Sequence, residues 1–397
     1  MRFLFYSHDG LGLGHTRRHL AIAGALTRRA PESSVLLASG ADDALRMGLP
    51  PGVEILKLPG LRKVSNDSYF PRRLRIPGPE IRAMRSALLL TTVKSYRPHV
   101  VLVDKHPFGV NGEFRDALST AKESGSRAVL GLRDILDEPA TVLREWAPHG
   151  LQAEISENFD LMFVYGEQSI FDPLSEYEFP GCMAERTRFC GYVVNQDEQE
   201  SRPGFGNRLD LSEWPRPVVL ATTGGGEDGF GLLETFIHTA AQAPWQGMVV
   251  TGPMTPAHQL RALRKLAESN NVPLEMFVSN LSASFADVDA LVCMGGYNTL
   301  AEAVSQGVPI VCAPRMSPRA EQVIRARALE RLGLVRILNS DAMDVATLGE
   351  AIGSVMETPG RELLARARAH LSFDGAAQAA GHLLALATQA PALAVAS

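Results

Sequence analysis

Two successive series of short apolar runs constrain this chain more than any other feature. The first is RFLFYS, SVLLAS, VEILKL, HVVLVD, RAVLGL and LMFVYG; the second is PVVLATT, GMVVTG, LEMFVS, ALVCMGG, PIVCAP and LVRIL. Runs of Val, Leu and Phe that do not alternate with polar residues suit strands buried on both faces, which occur in parallel sheets covered by helices. Segments with helical spacing, such as TRRHLAIAGALTRR and AEAVSQ, lie between the runs and complete β-α-β units. The expected fold class is therefore α/β, with two doubly wound, Rossmann-like domains. Between the two series lies NQDEQESRPGFGNRLDLSEWPR, whose charge, Gly and Pro read as a linker. The expected division is a first domain over 1–195, a linker over 196–216 and a second domain over 217–372. An Ala/Leu-rich helical segment, 373–397, would cross back to the first domain. Two such domains would present strand C-terminal ends on both sides of a central cleft, where ligands bind.

Composition excludes several other classes. A chain of 397 residues with 45% hydrophobic and 21% charged residues can bury full cores. A net charge of -5 argues against a general nucleic-acid binder. The four cysteines, Cys182, Cys190, Cys293 and Cys312, form no CxxC pair, so no zinc site is indicated. Cys293 and Cys312 lie in apolar runs and read as buried strand residues in a reducing compartment. The N-terminal MRFLFYSHDGLGLGH is too briefly apolar for a signal peptide, and no run reaches ~18 apolar residues, so the cytoplasm is the expected location. The charge is uneven, however. Lys57, Arg62, Lys63, Arg72, Arg73, Arg75, Arg82 and Arg85 face only Asp67 and Glu80 in a stretch broken by Pro and Gly. It reads as a loop. With Tyr69, Phe70 and Ile76 interleaved, it would serve as a lid, a grip on an anionic acceptor or a contact with an anionic membrane, against the plain alternative of a solvated loop.

The most informative segment is ALVCMGGYNTLAEAVSQGVPIVCAPRMSPRAEQVIRAR, residues 290–327. A strand leads into Gly295 and Gly296, which allow a tight turn and close approach of a ligand. Asn298 and Thr299 then open a helix whose free amides and dipole favour a phosphate. One turn later Glu302 can reach a pair of ribose hydroxyls, and after the next strand Glu321 and Gln322 offer a carboxylate and an amide to sugar hydroxyls. A second Gly-rich turn, TTGGGEDGF, brings Gly224 and Gly225 into a backbone nest for an anion.

The pattern GG-x-N-T-x-x-E-A…G-x-P…P…E-Q resembles the donor-binding segment of GT-B glycosyltransferases. Within them it is most similar to the family 28-like bacterial transferases that add GlcNAc to form lipid II, and to a broader group of bacterial relatives. The upstream stretch LEMFVSNLSASFADVDALVC carries the same resemblance. The resemblance implies a GT-B fold and a nucleotide-sugar, most simply a UDP-sugar, as co-substrate rather than a resident cofactor. It places uracil contact on the backbone of Val278, diphosphate contacts on Gly296 and Thr299, ribose on Glu302, and sugar hydroxyls on Glu321 and Gln322. The chain departs from the family at Glu227 and Asp228, acidic groups beside the expected diphosphate; Asp228 is expected to cap the following helix.

In the first domain the turn HDGLGLGH carries Gly10, Gly12 and Gly14, but His15 stands where a dinucleotide fingerprint needs its third Gly. In GT-B relatives with a Gly-x-Gly-His turn this place holds the catalytic His, so the resemblance assigns His15 as the base that deprotonates the acceptor in an inverting transfer; the plain alternative is a helix cap. His8 and His19 are weaker candidates. Asp104, closing HVVLVD, is the expected partner that fixes the imidazole tautomer. Lys105, His106 and Glu113 follow on the same rim, and Asp134 and Asp137 follow the next strand; His106, Glu113 and Asp134 are the acceptor-site candidates. Leaving-group charge would be met by the helix start at Thr299 and by Arg315. No metal is expected, since the one adjacent acidic pair, Asp42-Asp43, lies in a helical start and no His/Cys cluster has ligand spacing. The function expected is glycosyl transfer, with sugar epimerisation, nucleotide-sugar hydrolysis or non-catalytic nucleotide-sugar binding as alternatives on the same fold.

Overall fold

The computed structural model describes residues 1–7, 14–41, 48–65, 68–194, 208–315 and 319–389. Gly10, Gly12, His8, Asp42, Asp43 and the first part of the expected linker, 195–207, lie outside the described residues. The chain divides into two compact units, Met1–Val193 with Asp374–Ser397, and Val194–Phe373.

The first unit carries β1 (Arg2–Ser7), α1 (Gly14–Arg29), β2 (Ser34–Ser39), β3 (Val53–Lys57), β4 (Leu61–Ser65), β5 (Ser68–Pro71), α2 (Gly78–Tyr96), β6 (Val100–Asp104), α3 (Arg115–Glu123), β7 (Arg127–Arg133), α4 (Pro139–Trp146), α5 (Leu151–Asn158), β8 (Leu161–Tyr165), α6 (Pro173–Glu176) and β9 (Thr187–Phe189). Seven strands form one sheet in the order β3-β2-β1-β6-β7-β8-β9, parallel throughout. The apolar runs are buried as their composition requires: Phe3, Leu4, Phe5 and Tyr6 of β1 and Val100 to Val103 of β6 are fully covered. Strand order turns back between β1 and β6, so the segments leaving these two strands diverge to opposite sides and leave a crevice at their C-terminal ends. The register pairs Ser7 with both Ser39 and Asp104 at that edge.

The second unit carries β10 (Val218–Thr222), α7 (Phe230–Ala240), β11 (Gln246–Val250), α8 (Ala257–Ser269), β12 (Leu274–Glu275), β13 (Ala290–Cys293), α9 (Tyr297–Ser305), β14 (Ile310–Cys312), α10 (Glu321–Arg331), β15 (Arg336–Ile337), α11 (Val345–Met356) and α12 (Gly360–His370). Its sheet runs β12-β11-β10-β13-β14-β15, again parallel, and turns back between β10 and β13. A core of Val219, Ala221, Phe236, Val249, Val292, Val311 and Ile352 lies on one face of it. After α12 the chain rejoins the first unit, where α13 (Gly375–Thr388) packs along α1.

The basic stretch expected to be a loop is structured. β4 and β5 form an antiparallel hairpin with Arg62 opposite Phe70, and α2 starts at Gly78, with Pro79 in its first turn. Pro at a helix start has no amide to leave unsatisfied, so the Pro/Gly content that suggested a loop marks the entry of a helix. Residues 57–85 therefore span the end of β3, the hairpin and the first turns of α2.

Candidate active site

Each unit places its candidate residues at the point where its own sheet turns back. In the first unit His15 is the second residue of α1, and its side chain is 12% exposed. Asp104 ends β6 and is fully buried. His15 Nδ1 lies 3.2 Å from Asp104 Oδ2. Immediately after Asp104 the backbone of Lys105 is left-handed (φ 66°), held by its N–H donating to the Gly131 carbonyl at 2.8 Å. A non-glycine residue in that conformation carries strain of roughly 1 kcal/mol or more, and the fixed turn locks the strand end that carries Asp104.

A third member of this cluster was not foreseen. Arg18 sits three residues after His15 and hence on the same side of α1. Its Nη2 donates to Asp104 Oδ2 at 2.5 Å and lies 2.9 Å from His15 Nδ1, with the guanidinium 4.9 Å from the centre of the Tyr165 ring. The Thr-Arg-Arg-His spacing was the available signal, but an arginine in a helix of this kind is usually at the surface, and this one is 2% exposed. Burial lowers the His15 pKa below the ordinary histidine value; Asp104 opposes that, and Arg18 and Arg133 add to it. Burial pushes the Asp104 carboxyl up, but Arg18 and His15 outweigh it and hold the group well below the usual carboxylate range. The site therefore holds a neutral imidazole against an ionised carboxylate at neutral pH. His19 is a packing residue: it is fully buried, its ring lies 5.2 Å from that of Phe5, and its Nε2 is 3.7 Å from Asp104. Burial pushes its pKa down to about 3.

Two of the acceptor candidates are committed elsewhere. Glu113 is 2% exposed and accepts from Tyr6 Oη at 2.5 Å, from Arg85 Nε at 2.7 Å and from Arg85 Nη2 at 2.6 Å. Arg85 also donates to the Pro59 carbonyl at 2.6 Å. This clasp ties the hairpin and α2 to the segment after β6, so Glu113 is a structural anchor and not an open acceptor ligand. Asp134 is 1% exposed and turns its Oδ1 onto the Ile135 amide at 2.7 Å; Asp137 does the same to Glu138 at 2.9 Å. Short acidic side chains commonly bind nearby backbone amides in turns, and here they shape a loop also held by the Tyr177 hydroxyl. His106 stays half-buried, its N–H on the Asp104 carbonyl at 2.8 Å. Gly14 is the first residue of α1. A pocket of about 210 Å³ lies beside the clasp, bordered by Leu61, Tyr69, Phe70, Arg82, Val110 and Glu113 among others.

In the second unit two glycine turns meet. Gly295 (φ 84°) and Gly296 link β13 to α9. Gly224 (φ 70°) follows β10, and a Cβ placed on it would come 4.0 Å from the Thr299 hydroxyl. Added Cβ atoms on Gly225 or Gly296 would meet nothing within 4 Å, so this backbone is open to a ligand. Gly296 is the N-cap of α9 and supplies no capping side chain, and the start of a helix is where backbone amides and the helix dipole favour an anion. Glu302 is 8% exposed on the same helix, Val278 is 6% exposed after β12, and Glu321 and Gln322 open α10, with Glu321 5% exposed.

Two expectations are corrected here. Asp228 does not cap α7, whose N-cap is Gly229. Its carboxylate instead accepts from Arg315 Nη1 at 2.5 Å, and Arg315 Nη2 lies 3.5 Å from Glu321. The acidic departure at this turn is thus paired with Arg315, whose guanidinium lies between two carboxylates. The Arg315 backbone N–H donates to Gln322 Oε1 at 3.2 Å, which fixes that amide. The second arginine missed by the sequence reading is Arg325, 1% exposed, with Nη1 donating to the Gly295 carbonyl at 3.2 Å. Its position one helical turn past Glu321 was the signal.

Comparison with known proteins bears on the chain as a whole. Residues 232–380 match the glycosyltransferase family 28 C-terminal domain. The chain is 23% identical over 301 residues to the UDP-N-acetylglucosamine--N-acetylmuramyl-(pentapeptide) pyrophosphoryl-undecaprenol N-acetylglucosamine transferase of Corynebacterium efficiens, covering 72% of this chain and 78% of that one. Its fold is similar to that of MurG from Acinetobacter baumannii, with a TM-score of 0.57, 16% identity and coverage of 98% and 99%. A putative UDP-N-acetylglucosamine 2-epimerase from Listeria monocytogenes is also similar in fold (TM-score 0.62, 13% identity, coverage 97% and 95%). Backbone likeness alone therefore does not separate transferase from epimerase; the family 28 match over residues 232–380 and the sequence relative favour the transferase.

Proposed function

We propose that this chain, a nucleotide-sugar glycosyltransferase of the GT-B fold carrying a family 28 C-terminal domain, takes a hexosyl or N-acetylhexosaminyl group from a UDP-sugar and passes it, with inversion, to an acceptor hydroxyl or amine. The second unit would bind the donor and the first would supply the base. His15 would take the acceptor proton as the acceptor atom bonds to the anomeric carbon, and the bond from that carbon to the diphosphate would break, releasing UDP. The observation that carries this reading is the donor turn: open glycine backbone at Gly225 and Gly296, a start of α9 that bears no capping side chain, and the carboxylates of Glu302 on α9 and Glu321 on α10. In this reading the α9 amides meet the diphosphate, Glu302 the ribose, and Glu321 and Gln322 the sugar.

A thermal-shift and calorimetric panel of nucleotides and nucleotide sugars, with and without EDTA, tests it. UDP or one UDP-sugar at a hundred times its dissociation constant is expected to add ~2.7 kcal/mol of stability. The gain should be insensitive to EDTA and lost in Glu302→Ala. Silence toward every nucleotide would overturn the donor assignment.

The acceptor is proposed to be anionic and in part apolar, or presented at an anionic membrane surface. The supporting feature is the stretch from Phe70 to Leu88, in which Phe70, Leu74, Met84 and Leu88 are 37–48% exposed and alternate in sequence with the exposed Arg73, Arg75 and Arg82. Four of the five exposed large hydrophobic side chains among the described residues lie in this one stretch. Isolated apolar residues at a surface need no explanation, whereas a cluster rimmed by charge marks a contact site. The Corynebacterium efficiens relative is named for a pyrophosphoryl-undecaprenol acceptor, which has this chemistry. No helix among the described residues is long and apolar enough to cross a membrane. Cosedimentation with vesicles is expected to show binding to phosphatidylglycerol and little to phosphatidylcholine. Replacing Arg73 and Arg75 by Ala should weaken it on the order of tenfold or more, at about 1 kcal/mol per charge. Equal binding to both vesicle types, or to neither, would remove the membrane from the proposal.

A further inference from the structure

Arg325 lies in the interior of the second unit, 1% exposed. An arginine buried to that degree has lost most of its hydration, and such a cation is tolerated only where strong hydrogen bonds or fixed charge return the loss. One bond goes from its Nη1 to the Gly295 carbonyl oxygen at 3.2 Å, and the guanidinium lies 5.6 Å from the centre of the Tyr297 ring. Gly295 is also closely packed: a Cβ on it would come within 3.0 Å of Cys312 Sγ and 3.5 Å of the Gln322 carbonyl oxygen.

The consequence follows from the planarity of one peptide. In a trans peptide the C=O and the following N–H point in opposite directions. The Gly295 carbonyl is drawn inward by Arg325, so the N–H of Gly296 is turned outward. Gly296 is the residue whose added Cβ would meet nothing, and it is the side-chain-less cap of α9. We propose that Arg325 is the positioning residue of the donor diphosphate: by holding the Gly295 carbonyl it aims the Gly296 amide at the ligand, and its buried cation adds positive charge behind the turn. This rests on the donor-site reading above. Arg325 would move no proton in the reaction. It would lower the energy of the diphosphate that leaves when the glycosidic bond breaks.

Calorimetry with UDP and with uridine tests the proposal in the full chain, using wild type, Arg325→Met, Arg325→Lys and Arg325→Gln. Met keeps the length and removes both charge and donor. It is expected to weaken UDP binding on the order of 10- to 100-fold and to leave uridine binding unchanged, since only the diphosphate is involved. With a donor sugar and acceptor, kcat should fall along with donor affinity. Lys is expected to recover part of the loss, because it restores the charge without the planar fork. Gln keeps a donor for the carbonyl and should recover the smaller share. If Met does not fold, the Lys and Gln variants give the same comparison between UDP and uridine. Wild-type UDP affinity in all folded variants would overturn the proposal, as would equal losses for UDP and uridine, which would mark Arg325 as a plain core residue. A wild-type protein that binds neither ligand would overturn the donor-site reading first, and is told apart because it needs no variant.

Discussion

His15→Ala is expected to lower the transfer rate about 10²- to 10⁴-fold and to leave donor affinity unchanged, the range a positioned general base contributes. The asymmetry follows from which unit holds which group: His15 belongs to the first, whereas the residues assigned to the donor belong to the second. The imidazole has its pKa lowered by burial, so it is neutral, and able to accept a proton, at pH 7. As pH falls through this lowered value the imidazole becomes protonated and the base is lost. The acid limb of kcat/KM should therefore lie below the ~6.5 of an ordinary histidine, and it should be absent from the residual activity of the Ala variant. For His15 to work through Nε2, its Nδ1 must carry the proton and donate it to Asp104. The competing tautomer accepts from Arg18 at Nδ1 and leaves Nε2 protonated. Asp104→Asn would blur the comparison, because it also strips Arg18 of its carboxylate and leaves a buried guanidinium without its 2.5 Å partner. The Ala variant at position 15 is the cleaner test. Unchanged turnover in it would discard the base assignment, and a loss of donor binding would show that His15 serves the donor instead.

Glu113→Ala is expected to destabilise the protein by roughly 3–5 kcal/mol, the range for removing one member of a buried ion pair. The carboxylate is the common acceptor for Tyr6 and Arg85, and all three side chains are buried. Without it, the Arg85 guanidinium keeps its bond to the Pro59 carbonyl but loses its carboxylate, and the Tyr6 hydroxyl loses its 2.5 Å acceptor. For a unit of this size the midpoint of thermal unfolding should fall by about 10 °C. The double variant Arg85→Met with Glu113→Leu should recover much of the loss, since an apolar pair of similar volume avoids the desolvation of two charges. A Glu113→Gln variant that loses activity at unchanged stability would restore Glu113 to the acceptor site. The experiment thus separates an anchor from a ligand by stability and turnover measured on the same samples.

Both sheets were legible because a parallel strand buried on two faces has few alternatives to a solid run of Val, Leu, Ile and Phe. RFLFYS and HVVLVD could be read for that reason, and the residue that ends each run stands at a sheet edge by position alone. The pairing of His15 with Asp104 came from the same logic together with a family resemblance. The hairpin at 61–71 was not legible, because LRKVS and SYFP are short and mixed, and the Pro and Gly that follow suit a helix entry as well as a loop. Buried arginines were the systematic loss. Arg18, Arg85 and Arg325 carry the most polar side chain in the sequence, and sequence alone assigns such groups to solvent; tertiary partners, Asp104, Glu113 and the Gly295 carbonyl among them, hold them inside. The same limit misplaced Asp228 and Asp134, whose partners are set by local backbone geometry and by a distant arginine.

The return of the chain to the first unit bears on how the protein is made. The helix that carries His15 packs along α13, and α13 starts at Gly375, after the whole second unit. During synthesis the N-terminal sheet can form early, but the groove along α1 stays open until some 180 further residues, 194–373, have left the ribosome. The segment that carries the assigned base is therefore among the last to gain its full packing. A nascent chain would complete its donor unit before it finished the support for the group that begins the reaction.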